Sequence, residues 1–318
     1  MTGSYVSSRD KARTEGRGPE RARRSGLSDR QLAAAMAAPA AVLIIVFAFY
    51  PFAMAAWNSF NDVDINTGAA SWAGLGNYVA IFSTPETVAS IGRSVVWTLA
   101  NLVLQVVLGV AVALLLNAGL RFQGLARGLV LFPYMVPAIV VALIFRFMFN
   151  DVTGLINYLL QTIGLIDAPV SWLSDPSTLL GTVIVVNVWK YTPFFVIIVL
   201  ARLQTVPSEL YEAVSVDGGG ARHRFSTVTL PAIVPVVLAG ALLRTIWTAY
   251  DFDLPFLLSN GGGPDRAAVT VPLEIRSLAF DAQSIGQASA LAVCTAILLT
   301  GAAYFYLRSY RRAERAHG

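Results

Sequence analysis

EAVSVDGGGARHRFSTVTLP, residues 212–231, is a polar, glycine-rich segment set between two long apolar runs. An acidic residue, Glu212, is followed at fixed offsets by Gly218 and by Leu230-Pro231. Upstream, Pro207 opens the segment and Ser208 is placed to cap a short helix. Glu209, in the first turn, is favoured by the helix dipole. Over 208–216, Leu210, Ala213 and Val214 fall on roughly one helical face, with Val216 less well placed. Asp217-Gly218-Gly219-Gly220 ends that helix, because glycine accepts the left-handed conformation that closes helices. Arg222 and Arg224 lead on to Leu230-Pro231 and the next apolar run.

The runs on either side decide the class of protein. The chain has 318 residues, of which 56% are hydrophobic and only 13% charged, and its mean hydropathy is +0.62. That charged share is about half the 25% usual for a soluble domain. A bilayer core takes roughly 20 apolar residues per helix. Six such runs occur, at about 33–56, 94–116, 128–149, 179–201, 232–258 and 286–307. Backbone polar groups must be satisfied within the bilayer, so these runs are expected to be helices. A β-barrel would show short alternating segments instead. The expected fold is therefore all-α and polytopic, with six transmembrane helices. Ala53-Met54-Ala55 looks like a signal-cleavage triplet, but the apolar run before it is longer than a signal core, so the first span is read as uncleaved.

Charge sets the orientation. Eight of the 23 Lys and Arg residues lie in the first 30 residues. Beside a membrane span this stretch reads as a disordered basic tail touching anionic lipid, rather than a nucleic-acid arm. With the N-terminus inside, 17 Lys and Arg fall on the cytoplasmic side, and Arg93, Arg266 and Arg276 in outer loops. Short loops keep positive charge inside, so both termini and the 212–231 segment are expected to face the cytoplasm of the inner cell membrane. The organisation is a tail over 1–30, a transmembrane domain over 31–310 with a loop at about 206–231, and a C-terminal tail over 311–318.

Catalysis finds little to build on. Cys294 is the single cysteine and reads as a buried, inert thiol. His223 and His317 are the only histidines, too few for a His-based metal site or triad. The only lysines, Lys11 and Lys190, do not follow a glycine, so the phosphate loop G-x-x-x-x-G-K-[ST] is absent.

The 212–231 register resembles the "EAA" loop in permease subunits of binding-protein-dependent ABC importers. Glu212, Ala213, Gly218, Val228, Leu230 and Pro231 fall in place, with Val214 standing for the second Ala. Three further elements resemble the carbohydrate-uptake branch (maltose and glycerol-phosphate permeases). They are Gly74-Leu75-Gly76-Asn77-Tyr78, then Gly154-Leu155-Ile156-Asn157 with Trp172, and Phe252-Asp253 with Gly261-Gly262-Gly263-Pro264. Ser259 or Asn260 takes the place of the usual Thr in the last.

The resemblance implies a type I importer permease fold and alternating access. The implied partners are a homologous second permease, two cytoplasmic ABC ATPase subunits that use ATP and Mg, and an extracytoplasmic solute-binding protein. No cofactor or metal is implied for this chain. Glu212, Ala213, Asp217, Gly218, Leu230 and Pro231 are the implied ATPase-coupling residues. A permease for an amino acid or peptide is the main alternative, and an ion-coupled secondary transporter, which more often shows internal repeats and a buried carboxylate, the remoter one.

Polar residues inside the apolar runs are costly, and they default to functional hypotheses. Asn187, Trp189, Lys190, Trp247, Tyr250 and Asp251 form the candidate substrate path, with aromatic faces and hydrogen-bonding groups suited to sugars. Pairing between helices, or snorkelling of the charges to water, is the competing reading. Asn101 and Gln105, four apart on one helical face, read first as groups that join helices. Pro133 and Pro137 each favour a kink in the third run.

Overall fold

The computed structural model describes residues 28–64, 67–119 and 121–317. Of the basic tail expected over 1–30, residues 1–27 lie outside the described residues. The chain divides into two compact units, Met1–Phe52 and Ala53–Gly318. In the first, a helix opens on a capping box: Ser28 Oγ accepts from Gln31 N, and Gln31 Oε1 accepts from Ser28 N. Ile45–Phe49 forms a π turn just before Tyr50-Pro51. Proline has no N–H to give and crowds the preceding turn, and a widened turn accommodates it. The apolar helix containing these residues, α1, runs over Arg30–Asn58.

The second unit continues with a short antiparallel hairpin, β1 (Asn61–Val63) and β2 (Ala70–Trp72), with Asn61 opposite Trp72. Then follow α2 (Gly76–Ser83), α3 (Pro85–Asn117), α4 (Gln123–Met135), α5 (Ala138–Met148) and α6 (Leu155–Thr162). After these come α7 (Pro176–Leu203), α8 (Ser208–Val216) and α9 (Ala221–Ala249). The last helices are α10 (Asp253–Ser259), α11 (Val271–Arg276) and α12 (Ile285–His317).

Among the described residues five helices are long and apolar enough to cross a membrane, or six if the bent pair α4–α5 is one span. The six-run reading is met with that pair as its third span, and with four adjustments. The third run is broken, not gently kinked: α4 and α5 meet at 99°. Val136 precedes Pro137 and is driven into the extended conformation that a following proline favours, φ −74°, ψ 130°. The fifth run ends at Ala249 and restarts as α10. Arg93, expected in a loop, lies within α3 and donates from Nε to the Val269 carbonyl at 2.8 Å. The last helix continues past the apolar run through 311–317.

Helix α7 is the axis of the packing and is buried on several sides, by Leu179, Val183, Val186, Phe195 and Val199. Gly109 of α3 and Gly240 of α9 sit where a Cβ would run into Phe195 and Ile198. The missing side chains let both helices approach α7 closely, which is how small residues pack membrane helices. Trp97, Val183 and Leu254 centre one buried cluster. Val199, Leu203 and Ile233 centre a second.

Candidate functional site

Two places gather the polar residues singled out in the sequence. The first is the 208–231 segment. Helix α8 begins at Ser208, with Pro207 in the capping position, so no side chain caps it and the expected Ser208 cap is not made. Its far end is built from backbone. Gly218 N donates to Ser215 O at 3.1 Å, and Gly219 N to Val214 O at 2.8 Å. Gly218 is left-handed at φ +79°. This is the Schellman closure, which satisfies carbonyls the helix leaves open.

Gly219, read in the sequence only as one of three terminating glycines, is the one with no room for a side chain: a Cβ there would meet Val214 Cγ1 at 2.6 Å, His223 at 2.7 Å and Val214 O at 2.8 Å. Gly220 has open space around it. Glu212, Ala213, Asp217, Leu230 and Pro231 are all exposed, as is Val216 at 87%.

Two bonds fasten this segment to the long helices. Tyr211 Oη lies 3.2 Å from Thr229 Oγ1, and Arg202 Nε at the end of α7 donates to Ala232 O at 3.0 Å. Within α9, a π turn over Phe225–Thr229 precedes Leu230-Pro231, repeating the solution seen before Pro51.

The second place is a cavity of about 310 Å³ lined by Tyr134, Tyr191, Arg244, Trp247, Tyr250, Asp251, Phe252 and Asp253. Behind it runs a chain of hydrogen bonds. Arg244 Nε donates to Gln105 Oε1 at 3.0 Å, and Gln105 Nε2 to Asn187 Oδ1 at 3.1 Å. Asn187 Nδ2 then donates to Asp251 Oδ2 at 2.7 Å. Arginine only donates and an ionised carboxylate only accepts, so the ends fix the orientation of both carboxamides. Gln105 and Asn187 are wholly buried, and the chain joins α3, α7 and α9. The Arg244 guanidinium carbon stands 4.3 Å from the Tyr191 ring centroid. Asn101 shares the network through Gln105 and donates to Trp97 O at 2.8 Å.

The structure thus brings Asn187, Trp247, Tyr250 and Asp251 together and places two other candidates apart. Lys190 donates to the Val136 carbonyl, the group freed where α4 breaks before Pro137. Trp189 packs edge-on against Phe145, 5.0 Å between centroids. Neither lines the cavity. Arg244 lines it and was not among the candidates; its place in an apolar run was the only signal.

The sugar-permease-like motifs prove to be staples. Asn157 donates to the Asp151 and Val170 carbonyls and accepts from Val170 N and from Trp172 Nε1 at 2.7 Å. Asn77 donates to the Ser59 and Asn61 carbonyls. Ser259, in the Thr place, accepts from Gly262 N at 2.8 Å, and Gly261, Gly262 and Gly263 all have positive φ. Among the described residues no group of His, Cys, Asp and Glu is arranged to hold a metal ion.

Known proteins place this arrangement. The chain is 33% identical over 276 residues to the trehalose/maltose transport system permease protein MalF of Thermococcus litoralis, covering 86% of this chain and 91% of that protein. It is 32% identical over 289 residues to the sulfoquinovosyl glycerol transport system permease protein SmoG of Agrobacterium fabrum, covering 91% and 93%. A chain from a bacterial ABC transporter that imports the acidic polysaccharide alginate shares the fold, with a TM-score of 0.78 at 22% identity over 89% of this chain and 96% of that one. Residues 105–315 match the model of the binding-protein-dependent transport system inner membrane component, and the chain belongs to that family of ABC-importer permeases, which transport rather than catalyse.

Proposed function

We propose that this chain is the membrane subunit of an ATP-driven importer and translocates a carbohydrate delivered by a solute-binding protein. Relatives at about a third identity that carry trehalose/maltose and sulfoquinovosyl glycerol transport names support the carbohydrate class. A homologous permease and two cytoplasmic ATPase subunits complete the complex, and ATP with Mg is used by the ATPases. Both termini and the 208–231 segment face the cytoplasm, in keeping with the distribution of Lys and Arg.

The observation that carries the coupling role is α8, an exposed helix closed by Gly218 and tied to α9 through Tyr211 and Thr229. Closure of the ATPase dimer moves α8. The Tyr211–Thr229 and Arg202–Ala232 contacts pass that movement into α9 and α7, which place Arg244, Trp247 and Tyr191 in the cavity wall. The cavity then opens outward to receive the sugar, and hydrolysis resets it. Coupling of this kind needs two global states with different contacts at the segment.

The test is Glu212→Arg and Gly218→Asp in the assembled complex. Both should abolish uptake and uncouple hydrolysis while the subunit still reaches the membrane. Normal uptake by both variants overturns the coupling assignment.

A further inference from the structure

The names of relatives do not decide the charge of the cargo, since one fold neighbour imports an acidic polysaccharide and one sequence relative a disaccharide class that carries no charge. The cavity is more informative. Arg244 is only 3% exposed. Its Nε is committed to Gln105, and its Nη2 is buried with no hydrogen-bond partner. No carboxylate lies within ion-pair distance of it, for the ion pairs among the described residues are Arg266–Glu274 and Arg276–Asp281. The Tyr191 ring beneath the guanidinium offsets part of its burial, but a buried N–H with no acceptor remains costly.

The nearest acid on the same cavity wall is Asp251, and the relay through Gln105 and Asn187 holds it apart from Arg244. Arg244 and Asp251 thus line one cavity without being ion-paired to each other. Asp253 adds a second carboxylate to the lining. Lys190, the other cation of this region, is turned to the Val136 carbonyl. The wall is thus one cation against two carboxylates.

A sugar carboxylate or sulfonate would gain Arg244 but meet Asp251 and Asp253. Two neighbouring hydroxyls fit better: the guanidinium donates to one hydroxyl oxygen, and the carboxylate accepts the proton of the other. Trp247 and Tyr250 supply flat apolar faces beside them.

We propose that Arg244 and Asp251 form a diol clamp that passes neutral sugars and rejects sugars bearing a carboxylate or sulfonate. The proposal rests on the carbohydrate reading above and adds a selectivity to it.

The test uses the complete complex with its binding protein in proteoliposomes. Uptake is measured for a panel of neutral mono-, di- and trisaccharides and their uronic-acid counterparts, with amino acids and short peptides alongside. Arg244→Gln and Asp251→Asn are then compared with wild type on the best neutral sugar. Uptake confined to neutral sugars, with each variant slowed at least about tenfold, is the expected result. Preferred uptake of uronic acids overturns the clamp and leaves the carbohydrate reading intact. So does unchanged neutral-sugar uptake in both variants. Uptake of amino acids or peptides alone overturns both. Co-purification with the partner subunits checks assembly. If Arg244→Gln does not assemble, Asp251→Asn and quenching of Trp247 fluorescence by the neutral sugar decide the matter.

Discussion

The loop over 150–175 and the segment over 204–231 both connect membrane helices, and they are built by opposite rules. In the first, a buried side chain organises the backbone: Asn157 alone makes four hydrogen bonds, to Asp151, Val170 and Trp172. In the second, the backbone organises itself. Gly218 and Gly219 close α8, and the side chains of Glu212, Asp217 and Leu230 are left facing out. A loop that spends its polar groups on itself has fixed its own shape. A segment shaped by glycines keeps its polar groups for another surface. Motifs of equal prominence in the sequence therefore differ in what they do with their polar groups: one turns them inward to fix the fold, and one leaves them exposed, as the proposed docking role requires.

Asn157→Ala gives the largest effect that follows from this contrast. Four bonds vanish, and half-buried backbone groups together with the Trp172 N–H lose their partner, so destabilisation of about 2–3 kcal/mol is expected. Thermal unfolding of the purified complex in detergent measures it. Glu212→Ala on the same assay should stay within about 0.5 kcal/mol, as an exposed position should. An equal loss at both positions would erase the distinction between the two connections.

The glycines sharpen it. Gly219→Ala forces a Cβ against Val214 and its carbonyl and should cost about 1–3 kcal/mol locally. Gly218→Ala places a side chain at φ +79° and should cost roughly 1 kcal/mol. Gly220→Ala meets nothing and should be silent. Uptake of the three variants should fall in that order, and a defect in Gly220→Ala equal to that of Gly219→Ala would show that the segment is not shaped by its Schellman closure.

Tyr211→Phe is a smaller perturbation. It deletes one half-exposed contact to Thr229, about 0.5–1 kcal/mol, and should lower sugar moved per ATP hydrolysed while assembly is unchanged. The smallest effect is acid at Asp175, which caps α7 by accepting from Ser177 N and Oγ, both at 2.7 Å. Those bonds hold its pKa below the usual 3.8. The folded-state pKa is lowered, so the cap's contribution is full above 3.8 and is lost as pH falls through the lower folded value. Faster amide exchange at Ser177 in that window, removed by Asp175→Asn, is the check.

Much was legible from one dimension. Composition and run length require helices in a bilayer, because an apolar chain there can satisfy its backbone only within itself. Pro133 and Pro137 mark the place where the third run turns, since proline acts on its immediate neighbours. Gly218 marks the end of α8 for the same local reason. What the sequence left open is which polar residue meets which. Lys190 and Arg244 look alike as lone cations in apolar runs. One finds the Val136 carbonyl, 54 positions away, and the other Gln105, 139 positions away, and a cavity. Helix α7 is apolar around most of its circumference, so its periodicity names no preferred face and cannot say that Asn187 lies between Gln105 and Asp251. Local chemistry set the helices and their ends. Only the packing of α3, α7 and α9, brought close by Gly109 and Gly240, decided which buried cation would meet a backbone carbonyl and which would join a side-chain relay beside a cavity, because a partner's distance along the chain bears no relation to its distance across the bundle.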